Sequence, residues 1–351
     1  MKSLKKNLAP INIVRRPGAG RRRKELTEPG LQAAFDGVID AHTAGCPVAG
    51  VRWTYLNKNE IVGNLLEKGM QAGRDIVARL LGNANLGQRK ISKALTMKEE
   101  IEGRNEQFEQ IAAYKKEYLG NGWPVLSIDT KKKEQLGRFY RDGQVLSDKA
   151  VKSNDHDFPS FSPGKVVPYG VYDVGRDEGH LLLGQSDDTA EFNVACLRQY
   201  WEAHGAALYG SNEPILVLAD GGGSNASANR LFKQELQVFA DDIGRPIRVA
   251  HYPPYCSKYN PIEHRLFPFI TKAWNGVMLD GIDTMIKLVE ERTKNLKSKI
   301  KISVDKIDKV FKKGVTVYDD YLEHMDIVFD EINKKWNYWI TPLGYITTVN
   351  I

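Results

Sequence analysis

Two short apolar runs in this chain each end in a carboxylate: Pro124 to Asp129 reads PVLSID, and Ile215 to Asp220 reads ILVLAD. Runs of this length and composition read as buried strands. A lone carboxylate at the end of such a strand is costly unless it reaches solvent or a cation, and the carboxyl ends of strands are where α/β sheets place their ligand sites. A third acid, Glu263, lies in Asn260-Pro261-Ile262-Glu263, a helix start with Asn as N-cap, Pro at the first helical position and Glu at the third. Alone, Glu263 reads as the acid that closes a capping box. Beside two strand-terminal aspartates it can instead complete a set of three carboxylates. Mg²⁺ takes oxygen ligands and binds through a few carboxylates plus substrate phosphate. Two such ions about 3.5 to 4 Å apart can activate the attacking oxygen and stabilise the leaving one in an in-line displacement. Asp129, Asp220 and Glu263 are 91 and 43 residues apart, so they can act together only if the fold makes them converge. Asp173 also ends an apolar run and is the rival for a ligand position, whereas Asp187 and Asp188 are better placed to cap the helix that follows them.

The elements that would position these acids begin at Trp123. After the Pro124–Asp129 strand the pattern predicts a strand near Leu136 to Tyr140, a polar loop through about Lys165, and strands near Val166 to Asp173 and His180 to Gly184. A helix then runs from Asp188 through Trp201, followed by the Ile215–Asp220 strand, a helix from about Asn225 to Ala240, a strand over Ile247 to His251 and the helix that starts at Pro261. This order predicts an α/β fold with a mixed sheet. The stretch Asp220-Gly221-Gly222-Gly223-Ser224-Asn225 lacks the Gly-Lys-Ser/Thr ending of a nucleotide-binding P-loop. Its glycines either let phosphate or metal approach the backbone or form a plain strand-to-helix turn with Ser224 or Asn225 as N-cap.

Upstream, residues 31 to 95 read as short helices. Asn57 to Lys68 carries Ile61, Val62, Leu65 and Leu66 at helical spacing and stops at Gly69. A second short helix, about Arg74 to Leu81, carries Arg74 and Arg79 beside Ile76, Val77 and Leu80. The pair suits a helix-turn-helix with a recognition helix, although helical hairpins that merely pack have the same pattern. A further helix, about Arg104 to Leu119 with Phe108, Ile111 and Ala112 inward, reads as a linker or docking helix.

The net charge is +6, but Met1 to Lys24 holds nine basic residues and no acids, leaving 41 basic against 44 acidic residues elsewhere. A basic arm, including Arg21, Arg22 and Arg23, on a slightly acidic body is the asymmetry of a polyanion binder; a solubilising tail would look similar. No apolar run approaches a membrane span, and the N-terminal residues have scattered Lys and Arg without the apolar stretch and cleavage site of a signal peptide, which predicts a cytoplasmic protein. Cys46, Cys196 and Cys256 are widely spaced, against a disulfide framework or a zinc site.

Four stretches resemble the Rhodopirellula-type DDE transposases of bacterial insertion sequences: SIDTKKKE (Ser127 to Glu134), PYGVYDVGRDEG (Pro168 to Gly179), ADGGGSN (Ala219 to Asn225) and PPYCSKYNPIEHRLF (Pro253 to Phe267). The NPIE element also resembles the third-acid motif of mariner-like transposases. Looser similarity runs from Pro17 to Trp339 and takes in RWT (Arg52 to Thr54), VARLL (Val77 to Leu81) and WNY (Trp336 to Tyr338).

The resemblance implies an RNase H-like catalytic core over residues 123–295. Ahead of it would stand a basic flexible arm (1–25), a helix-turn-helix-like DNA-binding region (26–100) and a linker helix (101–122), and after it a C-terminal extension (296–351). It maps the three catalytic, metal-binding acids onto Asp129, Asp220 and Glu263, with two Mg²⁺ as cofactors and Mn²⁺ as an acceptable substitute. It also implies double-stranded DNA, at transposon ends and target, as partner, a homo-oligomer on that DNA and a place at the bacterial nucleoid. Lys131, Lys132, Lys133, Lys258, His264 and Arg265 are candidate phosphate contacts, with a solvated charge run or local packing as the alternative. His156-Asp157-Phe158-Pro159 is also family-like and suggests no chemistry. Family members carry more helical sequence ahead of the basic segment, so the rival readings are a transposase-derived DNA-binding protein without transposition activity and, third, an RNase H-type nuclease.

Overall fold

The computed structural model describes residues 22–46, 51–54, 56–89, 101–210, 212–294 and 300–344. The chain divides into two units, Met1–Lys98 and Glu99–Ile351. Most of the basic arm, Arg21 included, lies outside the described residues.

In the first unit a single turn, α1 (Lys24–Thr27), precedes α2 (Leu31–Ala41), a hairpin of β1 (Thr43–Cys46) and β2 (Val51–Thr54), α3 (Lys58–Glu67) and α4 (Arg74–Asn83). A capping box starts α3. The Asn57 side chain accepts from the N–H groups of Asn59 and Glu60, and the Glu60 carboxylate accepts from the Asn57 N–H. Leu31, Phe35 and Val38 of α2, Ile61 and Leu65 of α3, and Val77 and Leu80 of α4 form one core. Of the four apolar residues at helical spacing in α3, Leu66 is exposed. The hairpin departs from the all-helical expectation. Val51-Arg52-Trp53-Thr54 is β-branched and aromatic at three of its four positions, a composition that fits a pleated strand better than a helix.

The second unit opens with α5 (Arg104–Asn121), whose buried face is Gln107, Ile111, Tyr114 and Tyr118. Phe108 is only partly buried and Ala112 is exposed. Of the two readings the helix takes the docking one: Ile111, Tyr114 and Tyr118 pack on Val125, Leu216 and Leu218 of the sheet. The elements that follow are β3 (Val125–Thr130), β4 (Glu134–Gln135), β5 (Lys165–Asp173), β6 (Glu178–Gly184) and α6 (Ala190–Tyr200). A π-helical turn, Trp201–Gly205, carries α6 on into α7 (Ala206–Leu208). Then come β7 (Ile215–Ala219), α8 (Arg230–Ile243), β8 (Ile247–His251), α9 (Pro261–Arg265), α10 (Phe267–Trp274), α11 (Ile282–Thr293), β9 (Lys301–Ile307), β10 (Ile327–Phe329) and β11 (Asn337–Ile340).

Among the described residues one sheet holds nine strands in the order β10-β11-β8-β7-β3-β5-β6-β9, with β4 paired to β5. β3, β7 and β8 are parallel, while β5 runs antiparallel to β3 and to β6. Period-2 alternation sends Leu126, Ile128, Val217 and Val249 toward α6 and α8. The opposite face meets α5 on one side and α9, α10 and α11 on the other. The five central strands therefore have the RNase H-like arrangement, three antiparallel followed by two parallel, with helices on both faces. Three expectations change. The predicted strand at Leu136–Tyr140 shrinks to β4, ahead of it. The predicted helix from Asn225 begins instead at Arg230, because Asn229 caps it. Residues beyond 296 are no appendage: β9, β10 and β11 complete the sheet.

Candidate active site

β3 and β7 run parallel with Ser127 level with Leu218, so two residues further along both strands Asp129 comes level with Asp220. Odd-numbered β3 residues lie on the face that meets α5 at Val125 and α9 at Ser127. Asp129 shares that face with Ser127, and Ser127 forms the link that sets the third acid. Its hydroxyl donates to Asn260 Oδ1 at 2.5 Å and accepts from the Ile262 N–H at 3.0 Å, while Asn260 Nδ2 donates to the Ile128 carbonyl at 3.1 Å. Asn260 is thus at the N-cap position of α9, but its side chain bonds the strand and makes no side-chain cap. No side-chain cap forms, and the Glu263 carboxylate is left near enough to Asp129 to raise it.

Directly across from Asp129 on β5 stands Gly170. A Cβ there would meet Ile262 Cδ1 at 2.6 Å and Phe267 Cε1 at 2.7 Å, so only glycine lets α9 and α10 lie this close to the sheet. Gly221, just after Asp220, is also confined, since a Cβ would stand 3.0 Å from the Tyr252 carbonyl.

The three carboxylates act on one another. Burial, joined by the charges of Asp220 and Glu263, pushes the Asp129 carboxyl up to about 8. Burial also raises Asp220, helped by Glu263 and Asp188 and opposed by the Gly222 N–H, which reaches Asp220 Oδ1 at 3.4 Å. The Thr130 N–H holds Asp129 Oδ1 at 2.7 Å. Among the described residues no group of three or more His, Cys, Asp or Glu side chains is placed to hold a metal ion. Asp129, Asp220 and Glu263 are linked by their mutual electrostatics, and an all-oxygen set suits a hard cation that keeps waters and shares substrate oxygens.

Asp173, the rival ligand, is at the other end of the sheet. β5 is antiparallel, so Asp173 pairs with Leu126 at the start of β3. It is buried and accepts from the N–H groups of Gly175 and Arg176 at 3.1 Å each and from the Tyr209 hydroxyl at 2.6 Å, which makes it the anchor of the β5–β6 turn.

Asp188 proves to be different from the helix cap it resembles. Thr189 caps α6, and Asp188 accepts from Thr130 Oγ1 at 3.3 Å and Ser224 Oγ at 2.8 Å and pairs with Lys133 at 3.4 Å. It ties the end of β3 to the glycine-rich loop and adds a fourth negative charge beside Asp220. No local signal marks it, because its partners come from two distant segments. Asp187 pairs with Lys165 at 3.1 Å.

The candidate basic contacts divide. In the first unit Arg22, Arg23 and Arg74 are exposed, and Arg22, Arg23 and Lys24 line a concavity with Thr27, Ile76 and Arg79. Arg79 itself is held bidentately by Glu25, at 2.6 and 3.2 Å. In the second unit Lys132 and Lys258 are exposed. Lys131 is nearly covered, pairs with Glu134 at 3.1 Å and lies over the Trp274 ring. Arg265 pairs with Asp177 at 2.6 Å and donates to the Tyr172 hydroxyl, and His264 bonds the Lys258 carbonyl. The His156–Pro159 segment packs on itself, with the Phe158 ring against His156 and Phe161.

A mixed sheet in this strand order, with two acids at the carboxyl ends of adjacent parallel strands and a third on the helix beside them, defines the RNase H-like class of metal-dependent polynucleotidyl transferases. The family described as the Rhodopirellula transposase DDE domain matches residues 34–342, and the chain belongs to that family. Among solved structures it is similar to the Mos1 transposase paired-end complex with left transposon end, at 14% identity over 74% of this chain and 70% of that one with a TM-score of 0.39. It is also similar to the mariner Mos1 paired-end complex with Mg, at 12% identity over 82% and 76% with a TM-score of 0.38. No curated protein matches the sequence. Among the described residues no helix is long and apolar enough to cross a membrane.

Proposed function

We propose that this transposase hydrolyses a phosphodiester at each end of its element and then joins the freed 3′-hydroxyl to target DNA, with Asp129, Asp220 and Glu263 holding two Mg²⁺, or Mn²⁺ in their place. One observation carries the reading: three acids from two strand ends and a helix start share a site in which Asp129 is pushed up to about 8. Carboxylates that oppose one another's ionisation are stable as anions when they share cations, and an all-oxygen set selects hard ones. Bound there, the ions would supply activation of the attacking oxygen and charge for the leaving one.

The chain's own groups do the positioning. Thr130 turns Asp129 through its N–H, and the Ser127–Asn260 link sets Glu263 against Asp129. Asp188 holds the glycine-rich loop and adds charge that favours cations. The partner we infer is double-stranded DNA, at transposon ends and target. Arg22, Arg23, Arg74, Lys132 and Lys258 are the exposed cations offered to it. Arg79, Lys131 and Arg265 have intramolecular partners to give up first, and His264 is turned onto a backbone carbonyl. Two element ends need processing and each chain has one set of acids, so the working form is a homo-oligomer on DNA, in the cytoplasm at the nucleoid.

The test is Asp220→Asn. An amide is a poorer Mg²⁺ ligand than a carboxylate, while DNA binding rests on basic residues elsewhere. The variant is expected to lose strand cleavage on an end-containing duplex and to bind that duplex almost as the native chain does. Retained cleavage would sink the two-metal reading, and native cleavage of RNA:DNA hybrid in preference to the duplex would make the protein an RNase H-type nuclease.

A further inference from the structure

Trp336, Asn337 and Tyr338 stand at the start of β11, and each of them is linked to His251, the last residue of β8, Asn337 through Gln107. The Trp336 carbonyl accepts from the His251 N–H at 2.9 Å. Asn337 and Gln107 exchange amide hydrogen bonds at 2.7 and 2.8 Å, and Gln107 Nε2 also donates to the His251 carbonyl at 2.9 Å. The Tyr338 hydroxyl is 3.2 Å from His251 Nε2. All of this is fully buried.

The other imidazole nitrogen, Nδ1, is 3.1 Å from the backbone carbonyl oxygen of Asp220. A carbonyl oxygen only accepts, so Nδ1 carries the proton, Nε2 offers its lone pair, and the Tyr338 hydroxyl donates to it. The chain of bonds runs from Tyr338 through His251 to the peptide of Asp220. The Tyr338 ring also lies 5.3 Å beneath Lys233 Nζ, and that ammonium donates to the Ser227 carbonyl. Both ends of the Asp220–Ser227 loop are therefore fastened through groups that meet at Tyr338. The Asp220 carboxylate has little else to aim it, since its bond from the Gly222 N–H is long, at 3.4 Å.

We propose that His251 and Tyr338 are positioning residues of the active site, which hold the Asp220 peptide so that its carboxylate points into the cation site shared with Asp129 and Glu263. Neither touches substrate. The inference rests on the reading of Asp220 as a metal ligand, and groups behind a ligand commonly alter metal affinity by 10- to 100-fold.

Three variants of the full chain test it. Tyr338→Phe keeps the ring beneath Lys233 and removes only the donor. His251→Leu removes the bond to Asp220. His251→Asn restores an amide donor at about the reach of Nδ1. Folding is verified by circular dichroism, and two quantities are read: Mn²⁺ binding by calorimetry, and hydrogen exchange of the Gly221–Ser227 amides without metal. Tyr338→Phe and His251→Leu are expected to weaken Mn²⁺ roughly tenfold and to speed exchange in the loop, and His251→Asn to recover most of both. Native affinity and native loop exchange in folded Tyr338→Phe, or no recovery in His251→Asn, would overturn the inference. Asp220→Asn separates the two failures. If it weakens Mn²⁺ and Tyr338→Phe does not, the brace alone falls, and if it leaves Mn²⁺ unchanged, the site itself falls.

Discussion

Two histidines in the second unit are kept neutral by burial, and each has a measurable consequence. His180, on β6, directs Nδ1 at Ser303 Oγ 2.6 Å away and lies against the rings of His204 and Tyr200. Burial, reinforced by His204, pulls it down to about 4, and burial does the same to His251. A histidine whose folded pKa lies below its ordinary value of about 6.5 binds more protons unfolded than folded between those limits. Its contribution is therefore fully present above about pH 6.5 and is lost as the pH falls toward 4. For His180 the loss by pH 4.5 amounts to about 2 to 3 kcal/mol, at roughly 1.4 kcal/mol per pKa unit. Replacing His180 by Gln removes the titration, so the stability gap between native and variant, measured by urea unfolding, should shrink by that amount between pH 7 and 4.5. A gap that stays constant would show that His180 takes up its proton alike in the folded and the unfolded chain.

At the scale of elements, the active-site face depends on how one short helix meets one strand. α9 has only five residues, too few to hold its own orientation. The Ser127 hydroxyl supplies that orientation by donating to Asn260 and accepting from the Ile262 N–H. Ser127→Ala leaves both of these buried groups without that partner, at a cost of about 1 to 3 kcal/mol each where no other partner replaces it. The expected outcome is a lower urea midpoint together with a cleavage rate reduced several-fold at saturating Mg²⁺. Equal loss of stability with an unchanged rate would mean that Glu263 is positioned by something else. Elements whose apolar runs are unbroken, β3, β5, β7 and β8, were legible in the sequence to within a residue or so. The hairpin of β1 and β2, the shortness of β4 and the late start of α8 were not. Each is decided by a local competition between turn and strand, or between two possible caps, that composition does not resolve.

For the molecule as a whole, charge is the property that does not depend on the fold. The nine basic residues of Met1 to Lys24 face no acid in the same stretch, and they have no periodicity that would hold side chains against base edges. They should contribute affinity without sequence preference. Each phosphate neutralised adds about −0.9 to the slope of log K against log salt. Deleting the arm should therefore flatten that slope by several units on both transposon-end and scrambled duplexes. Preference for the end sequence should rest on α4, where a good bidentate base contact is worth about 1 to 3 kcal/mol. Since Arg79 is engaged by Glu25, Arg74 is the first residue to replace. An unchanged salt slope, or lost preference with scrambled-DNA affinity intact, would reverse the two assignments.

Residue type and spacing alone determined the order of the main strands and helices of the second unit, the three acids worth following and the family those motifs resemble. These are properties of contiguous segments, in which an apolar run, a terminal acid or a Pro at the start of a helix has its physical meaning whatever lies elsewhere. Tertiary structure alone decided that Asp173 lies at the opposite end of the sheet from Asp129, because strand direction is set by pairing. It decided that Asn260 bonds β3 and caps nothing, and that Asp188 joins Thr130 to Ser224. It also placed β9, β10 and β11 inside the sheet and brought Tyr338 and His251 behind Asp220. Each of these relations links residues tens to hundreds of positions apart through hydrogen bonds of about 3 Å, and such distances exist only once the burial of apolar faces has set the register.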